Sequence, residues 1–417
     1  MGTVYIEDLR PGMELSADVR SRQGRLLFSK KLVLDELSIQ TLKFWGVTEA
    51  LVAGHDQQSL DAQRVRAMDP DLARQAMDEA SRRLRLSDQN HPAVEELSRI
   101  TFIHLAQTGA PSPKEDGGRN MMPLAPEPRK KPDLSRLANG AVKLASLPSI
   151  VTQTLDALKN PNVSYSYVAE IIGKDPALSA KLLKLVNSAL YGFPEPIDTI
   201  TRAVTVVGAN RLASLALGVS LIHVFDSIPR EILDMRSFWA HSLACGVLAR
   251  LLAASAGHPN EERCFVAGLL HDIGRLVMLK NHPEHVAQAM ALARREEKPL
   301  FGVERGLWSF DHAMLGGRLL ASWKFPSSLE RAVGEHHHPG GKSLPHQDAA
   351  LTHLADIMAH TLDMGQSGSP VAPALATSAW ENLHIPPSAL GAAAAQAERQ
   401  IDDIGNILLA DHEDNHV

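Results

Sequence analysis

Between Cys264 and Met278 the chain reads Cys-Phe-Val-Ala-Gly-Leu-Leu-His-Asp-Ile-Gly-Arg-Leu-Val-Met, an apolar run of core-helix character with His271 and Asp272 set in its middle. A carboxylate in such a run cannot be buried alone, because desolvating an unpaired charge is too costly. Whatever fold the chain adopts must therefore bring a partner to this point. A divalent metal is one such partner, since neutral imidazole nitrogen and carboxylate oxygen together suit zinc, iron, manganese or nickel.

The surroundings supply further donors. Twelve of the 19 histidines fall within residues 241–360, far more than even spreading would give. His241 opens an apolar helical stretch thirty residues upstream, and Asp356 lies inside Leu351-Thr-His-Leu-Ala-Asp-Ile-Met-Ala. A lone buried histidine is more often a hydrogen-bonded core residue than a ligand, and Asp356 alone could cap a helix or pair with an arginine. The order His, then His-Asp, then Asp across three predicted helices points instead to a shared metal centre of His241, His271, Asp272 and Asp356.

At 417 residues the chain has room for two or three domains. Residues 1–54 read as a small α+β module, with short alternating stretches, the Pro11-Gly12 turn, and one helix carrying Leu34, Leu37, Ile39 and Leu42. Residues 55–108 look like a charged, solvated helical connector. The Pro- and Gly-rich stretch 109–136 lacks periodicity and reads as a linker.

From 137 to 360 the pattern is helical throughout, which makes the fold class mainly α, a multi-helix bundle. Its clearest helix has Asp175 as N-cap and Pro176 at the first position, then Leu178, Leu182, Leu185 and Ala189 on one face and Gly192 as terminator. Further helices are expected over 148–159, 164–173, 200–223, 235–256, 261–280, 283–296, 310–322, 327–337 and 347–362. Residues 361–417 form a tail with one last amphipathic helix over 387–410.

The formal net charge of −6 gives no general attraction to nucleic acid or an anionic membrane. Asp175-Pro176 and its helix, placed after 168–173, superficially suggest a helix-turn-helix, but the apolar positions leave no basic recognition face, so no DNA binding is expected. The two cysteines, Cys245 and Cys264, lack a Cys-x-x-Cys spacing, which disfavours a disulfide framework and a thiolate zinc cluster; both are expected in the core. With no signal-peptide pattern, no myristoylation site and no run of 18 uninterrupted apolar residues, a cytoplasmic protein without membrane association is expected.

His241, the His271-Asp272-Ile273-Gly274 motif and Asp356 resemble the HD superfamily of metal-dependent phosphohydrolases. Leu147-Pro148, the segment Asp175-Pro176 through Asn187 to Tyr191-Gly, and Ile200-Thr-Arg-Ala-Val-Thr-Val-Val-Gly208 narrow the resemblance to the HDOD family, the HD-related output domain of bacterial signalling proteins, over about 140–360. Leu9-Arg-Pro-Gly-Met13 and Gly24-Arg-Leu-Leu resemble a small module preceding the related HD-GYP domains of cyclic diguanylate phosphodiesterases.

The HD-GYP resemblance implies further ligands, for which His312 and the His336-His337 pair are candidates. Asp272 would then accept a proton from the attacking water, and Arg275 would steady a phosphate oxygen. Three positions depart from that pattern: Ser237 replaces a metal-binding glutamate, Arg275 replaces a lysine, and Pro339-Gly-Gly replaces the Gly-Tyr-Pro signature. The resemblance implies a regulatory output protein that holds a divalent metal and binds signalling partners, with hydrolysis of a nucleotide or cyclic dinucleotide as the alternative.

Overall fold

The computed structural model describes residues 2–20, 24–45, 47–66, 68–109, 131–140, 147–158, 160, 163–193, 195–225, 232–340 and 346–409. Most of the expected linker therefore lies outside the described residues.

The N-terminal module is made of two small antiparallel ribbons and one helix. β1 (Gly2–Tyr5) pairs with β4 (Glu49–Val52), and β2 (Val19–Arg20) with β3 (Leu26–Phe28). Between β3 and β4, α1 (Glu36–Phe44) starts at a capping box in which Asp35 accepts from the Ser38 amide and Ser38 Oγ accepts from the Asp35 amide. Val4, Ile6, Leu15, Leu34, Leu42 and Val52 close a small core of their own.

Three helices follow: α2 (Gln57–Arg66), α3 (Pro70–Arg83) and α4 (Pro92–Thr108). The expectation of a solvated connector holds only in part. α4 places Ala93, Val94, Leu97 and Ile100 in the large helical core, and Arg83 donates to the Thr361 carbonyl 2.9 Å away. The N-terminal module is tied to α4 as well, with Tyr5 Oη donating to Glu96 at 2.9 Å and Arg99 donating to Tyr5 Oη at 3.1 Å.

The bundle itself comprises α5 (Leu134–Gly140), α6 (Ser149–Leu158), α7 (Tyr165–Gly173), α8 (Pro176–Val186), α9 (Ile200–Val207), α10 (Ala209–Ile222), α11 (Met235–Ser255), α12 (Glu261–Leu270), α13 (Ile273–Asn281), α14 (Pro283–Glu296), α15 (Leu300–Trp308), α16 (His312–Ser322), α17 (Ser327–Gly334) and α18 (Gln347–Thr361). α19 (Thr377–Leu383) and α20 (Ser388–Leu408) complete the chain. The mainly helical expectation is met, and Asp175 caps α8 as expected, accepting from the Leu178 amide at 2.9 Å.

Several boundaries differ for identifiable reasons. α8 stops at Val186 because the Asn187 side chain turns back onto the backbone of Ile197, donating to its carbonyl at 2.8 Å and accepting from its amide at 2.7 Å. Ala189 is consequently exposed rather than on the buried face. The stretch 200–223 divides at Gly208, whose φ of 100° lies outside the helical region and bends α9 and α10 by 117°. The stretch 261–280 divides at the His271-Asp272 step. α5, which begins inside the expected 109–136 linker, α15 and α19 were not anticipated. The C-terminal helix α20 docks through Ile404 and Leu408 into the same core as the bundle, so it is no free tail.

α11 is long and apolar enough to cross a membrane, yet 83% of its apolar window is buried inside the bundle. It is the central helix, packed along α12, α18 and α20, and it carries His241.

Candidate metal centre

Five elements converge on one buried point. α11 brings His241, the α12–α13 step brings His271 and Asp272, α16 opens with His312, the turn after α17 brings His336 and His337, and α18 brings Asp356. All seven candidate ligands named from the sequence meet there, and none is more than 8% exposed.

Two close helix approaches set this geometry. At Gly268 on α12 a Cβ would lie 2.4 Å from the Cys245 carbonyl of α11, and at Gly274 on α13 a Cβ would lie 2.0 Å from the His312 carbonyl. Only glycine permits backbones this close. The Gly of His-Asp-Ile-Gly therefore has a specific task, to let the first turn of α16 press against α13.

The histidines are prepared as ligands. His271 places Nδ1 2.7 Å from the Gly268 carbonyl, and His336 places Nδ1 2.7 Å from the Val333 carbonyl. Each carbonyl fixes the proton on Nδ1 and leaves Nε2 with its lone pair facing inward. Nε2 of both residues is buried without a hydrogen-bond partner, as is Nδ1 of His337. Buried orphan acceptors converging on one place are what a bound cation would satisfy.

Burial holds the imidazoles in the neutral form that a metal requires. It pushes the pKa of His336 down to about 3 and that of His360 down to about 4, and it lowers His271 and His337 as well. Asp356, despite burial, stays ionised well below the usual carboxylate range, held there by its hydrogen bond to His241 and by His360 and His271. Its Oδ1 lies 3.2 Å from His241 Nε2 and 3.7 Å from His271 Nε2.

The other half of the site is already charge-balanced. The Arg275 guanidinium donates to Asp272 Oδ2 at 2.6 Å and to the Ser367 carbonyl, and its Nη2 stands 2.9 Å from His312 Nε2. His312 Nε2 is 2.9 Å from Asp272 Oδ1, while its Nδ1 is 2.5 Å from Glu304 Oε2. Burial and Arg275 oppose protonation of His312, but the Glu304 and Asp272 carboxylates outweigh them and raise its pKa to about 9. Two cations and two carboxylates thus neutralise one another. Asp311 serves as the cap of α16, accepting from the Met314 amide at 2.8 Å, and leaves His312 free for this network. The two halves face one another across a tight gap with no room for a water molecule, bordered by Asp272, Arg275, Phe301, His312, His337 and Asp356.

Residues 144–339 match the family model of the HDOD domain. The chain carries an HDOD domain. An uncharacterized protein of Treponema pallidum (strain Nichols) is 28% identical over 204 residues, which are 49% of this chain and 38% of that protein. The aligned part is therefore well under half of that relative. Among solved structures, an HDOD domain protein of Geobacter sulfurreducens is 23% identical, with TM-score 0.54, covering 66% of this chain and 96% of that one. A candidate phosphohydrolase of Shewanella amazonensis SB2B is 24% identical, with TM-score 0.53, covering 66% of this chain and 97% of that one. Both likenesses concern the fold.

Within the HDOD domain the triplet His336-His337-His338 divides, with two rings turned inward and His338 exposed. His353 is a structural histidine, its Nδ1 2.7 Å from the His336 carbonyl and its Nε2 accepting from the Ala376 amide at 3.1 Å. His258 belongs to a separate ion-pair cluster with Asp348 and Arg263. Four site residues escape a reading of the sequence. Cys245 and His360 follow His241 and Asp356 by one helical turn, a spacing that could have drawn attention to both. Glu304 and Ser367 carry no such signal, because tertiary packing alone brings them in.

Proposed function

We propose that this chain is a bacterial signal-transduction output protein whose HDOD domain binds regulatory partners and is organised around one buried divalent metal. His241, His271 and Asp356 would hold the ion, with Asp272, His312, His336 and His337 completing the polar shell around it. Only in the hydrolytic alternative below would such an ion keep an open position, where it would supply Lewis acidity and lower the pKa of a coordinated water toward neutrality.

One observation favours regulation over hydrolysis. The Arg275 guanidinium sits between Asp272 and His312 and is fastened to Ser367. A phosphohydrolase would need Asp272 free to take a proton and the space beside His312 free for a second cation or a phosphoryl oxygen. Arg275 therefore takes a locking role in this reading in place of the phosphate-steadying role expected from the sequence. The N-terminal module, tied to α4 through Tyr5, would sense or position the bundle. The protein would act in the cytoplasm, which suits its two free, buried cysteines. Neither DNA nor a membrane is proposed as a partner.

The second reading is a metal-dependent phosphohydrolase acting on a nucleotide or cyclic dinucleotide. It draws on the convergence of Asp272, His312, His337 and Asp356 around one gap, which would have to open to admit a substrate. Elemental analysis of the purified protein, followed by assays on mononucleotides and cyclic dinucleotides with manganese, iron or zinc, separates the two. A metal-loaded protein inert on all of them supports the regulatory reading. Turnover abolished by Asp272→Ala would overturn it, and a metal-free wild-type protein whose stability His271→Ala leaves unchanged would remove the metal from both.

A further inference from the structure

Cys245 follows His241 by four residues on α11, so the two side chains stack on one face of the helix. Its Sγ lies 3.5 Å from His241 Nε2. That nitrogen is 3.2 Å from Asp356 Oδ1, which is 3.7 Å from His271 Nε2. One donor atom from each of His241, Cys245, His271 and Asp356 falls within 4.8 Å of all the others. Zinc bonds of roughly 2.3 Å to sulfur and roughly 2.0–2.1 Å to nitrogen, opened at the tetrahedral angle, hold sulfur and nitrogen about 3.5 Å apart. The separations of 3.5, 3.2 and 3.7 Å lie close to that spacing.

We infer that Cys245 is the fourth ligand of the metal, completing a closed two-nitrogen, one-oxygen, one-sulfur site with His241, His271 and Asp356. This inference rests on the metal reading proposed above and deepens it. Charge balance agrees with it. Two neutral imidazoles, one carboxylate and one thiolate cancel a dication exactly where His241, Cys245 and His271 have no exposed surface, and a neutral complex is the form a dry site tolerates. The competing group of His271, Asp272 and His336 lacks a fourth donor, and its carboxylate is already paired with Arg275.

Binding breaks the Cys245 S–H bond as the metal–sulfur bond forms, and the proton leaves to solvent. Two consequences follow. A thiolate in the set favours zinc, or cobalt in its place, over manganese and magnesium. Four protein ligands also leave no position for water, the arrangement of a structural rather than a catalytic site.

The test uses the full chain, stripped with a chelator and reloaded with Co²⁺, a spectroscopic stand-in for zinc. One cobalt per chain with a sulfur-to-cobalt charge-transfer band in the near ultraviolet is expected for the wild type and for Cys264→Ser. Cys245→Ser should lose the band and bind zinc at least ~10–100-fold more weakly, the loss typical of even an outer-shell partner. Circular dichroism of the metal-free variants checks that they fold, and the wild-type and Cys264→Ser spectra decide the matter should Cys245→Ser fail to. Stoichiometric cobalt with no thiolate band would overturn Cys245 as a ligand while leaving the metal reading standing. A wild type that takes up no cobalt and no zinc would bring down both.

Discussion

The Arg275–Asp272 pair should dominate the stability of the site, and its removal gives a quantitative test. Both side chains are 2% exposed and joined at 2.6 Å. Arg275→Met keeps most of the aliphatic volume but strands the Asp272 carboxylate in the core. Breaking a buried pair in this way costs about 3–5 kcal/mol. Protonated His312, 2.9 Å from Asp272 Oδ1, remains as a partial counter-charge, which places the loss near the lower end, about 3 kcal/mol, or roughly a hundredfold in the folding equilibrium. Asp272→Asn leaves the opposite imbalance, with the Arg275 guanidinium facing the His312 imidazolium at 2.9 Å, and should cost at least as much. In the double variant neither charge is stranded, so it should be more stable than the sum of the single losses predicts by about 2 kcal/mol. Urea titration followed by the fluorescence of buried Trp239 and Trp323 measures all four proteins. A loss under about 1 kcal/mol for Arg275→Met, or strict additivity in the double variant, would show that the guanidinium is not the counter-ion of Asp272.

Metal-free protein should lose stability in mild acid. The folded-state pKa of His360 is pushed down to about 4 and that of His336 to about 3, whereas unfolded imidazole protonates near about 6.5. The unfolded chain thus binds more protons as pH falls from about 6.5 toward 4, and each such histidine removes up to ~1.4 kcal/mol per pH unit; a denaturation midpoint that stays flat from neutral pH to pH 5 would refute this. Gly274→Ala should lower the melting temperature sharply, because its Cβ would meet the His312 carbonyl at 2.0 Å and the Gly316 amide nitrogen at 2.6 Å, an overpacking worth about 1–3 kcal/mol or more. Gly302→Ala, on helix α15 with nothing near its Cβ, is the control and should be neutral or stabilising by ~0.4–1 kcal/mol. Glu304→Gln removes one of the carboxylates that keep His312 charged, so NMR titration of labelled histidine should show that ring deprotonating at a pH below the wild type's.

Much of the fold is legible in the residue pattern, for local reasons. Asp175-Pro176 begins a helix wherever it lands, because the cap and the fixed proline φ act within one turn. The apolar spacing of 235–256 and 347–362 anticipates α11 and α18. What the pattern misjudges are breaks imposed by partners elsewhere. The end of α8 depends on Asn187 meeting Ile197, and the division at His271-Asp272 occurs where five elements meet.

The same distinction runs through the site. By itself the sequence determined that His241, His271, Asp272 and Asp356 need company, because burial of charge in an apolar run is unfavourable in any fold. His312, His336 and His337, named only through the family resemblance, arrive at the same point. Only the tertiary structure decided what that company is. Packing sets His312 against Asp272, carries the Ser367 carbonyl to Arg275, and brings Asp356 to the His241 ring. Electrostatic partnership depends on separations of a few ångströms, and distances between residues 30 or more positions apart are fixed by helix crossings, here the close contacts at Gly268 and Gly274, rather than by any local feature of the chain.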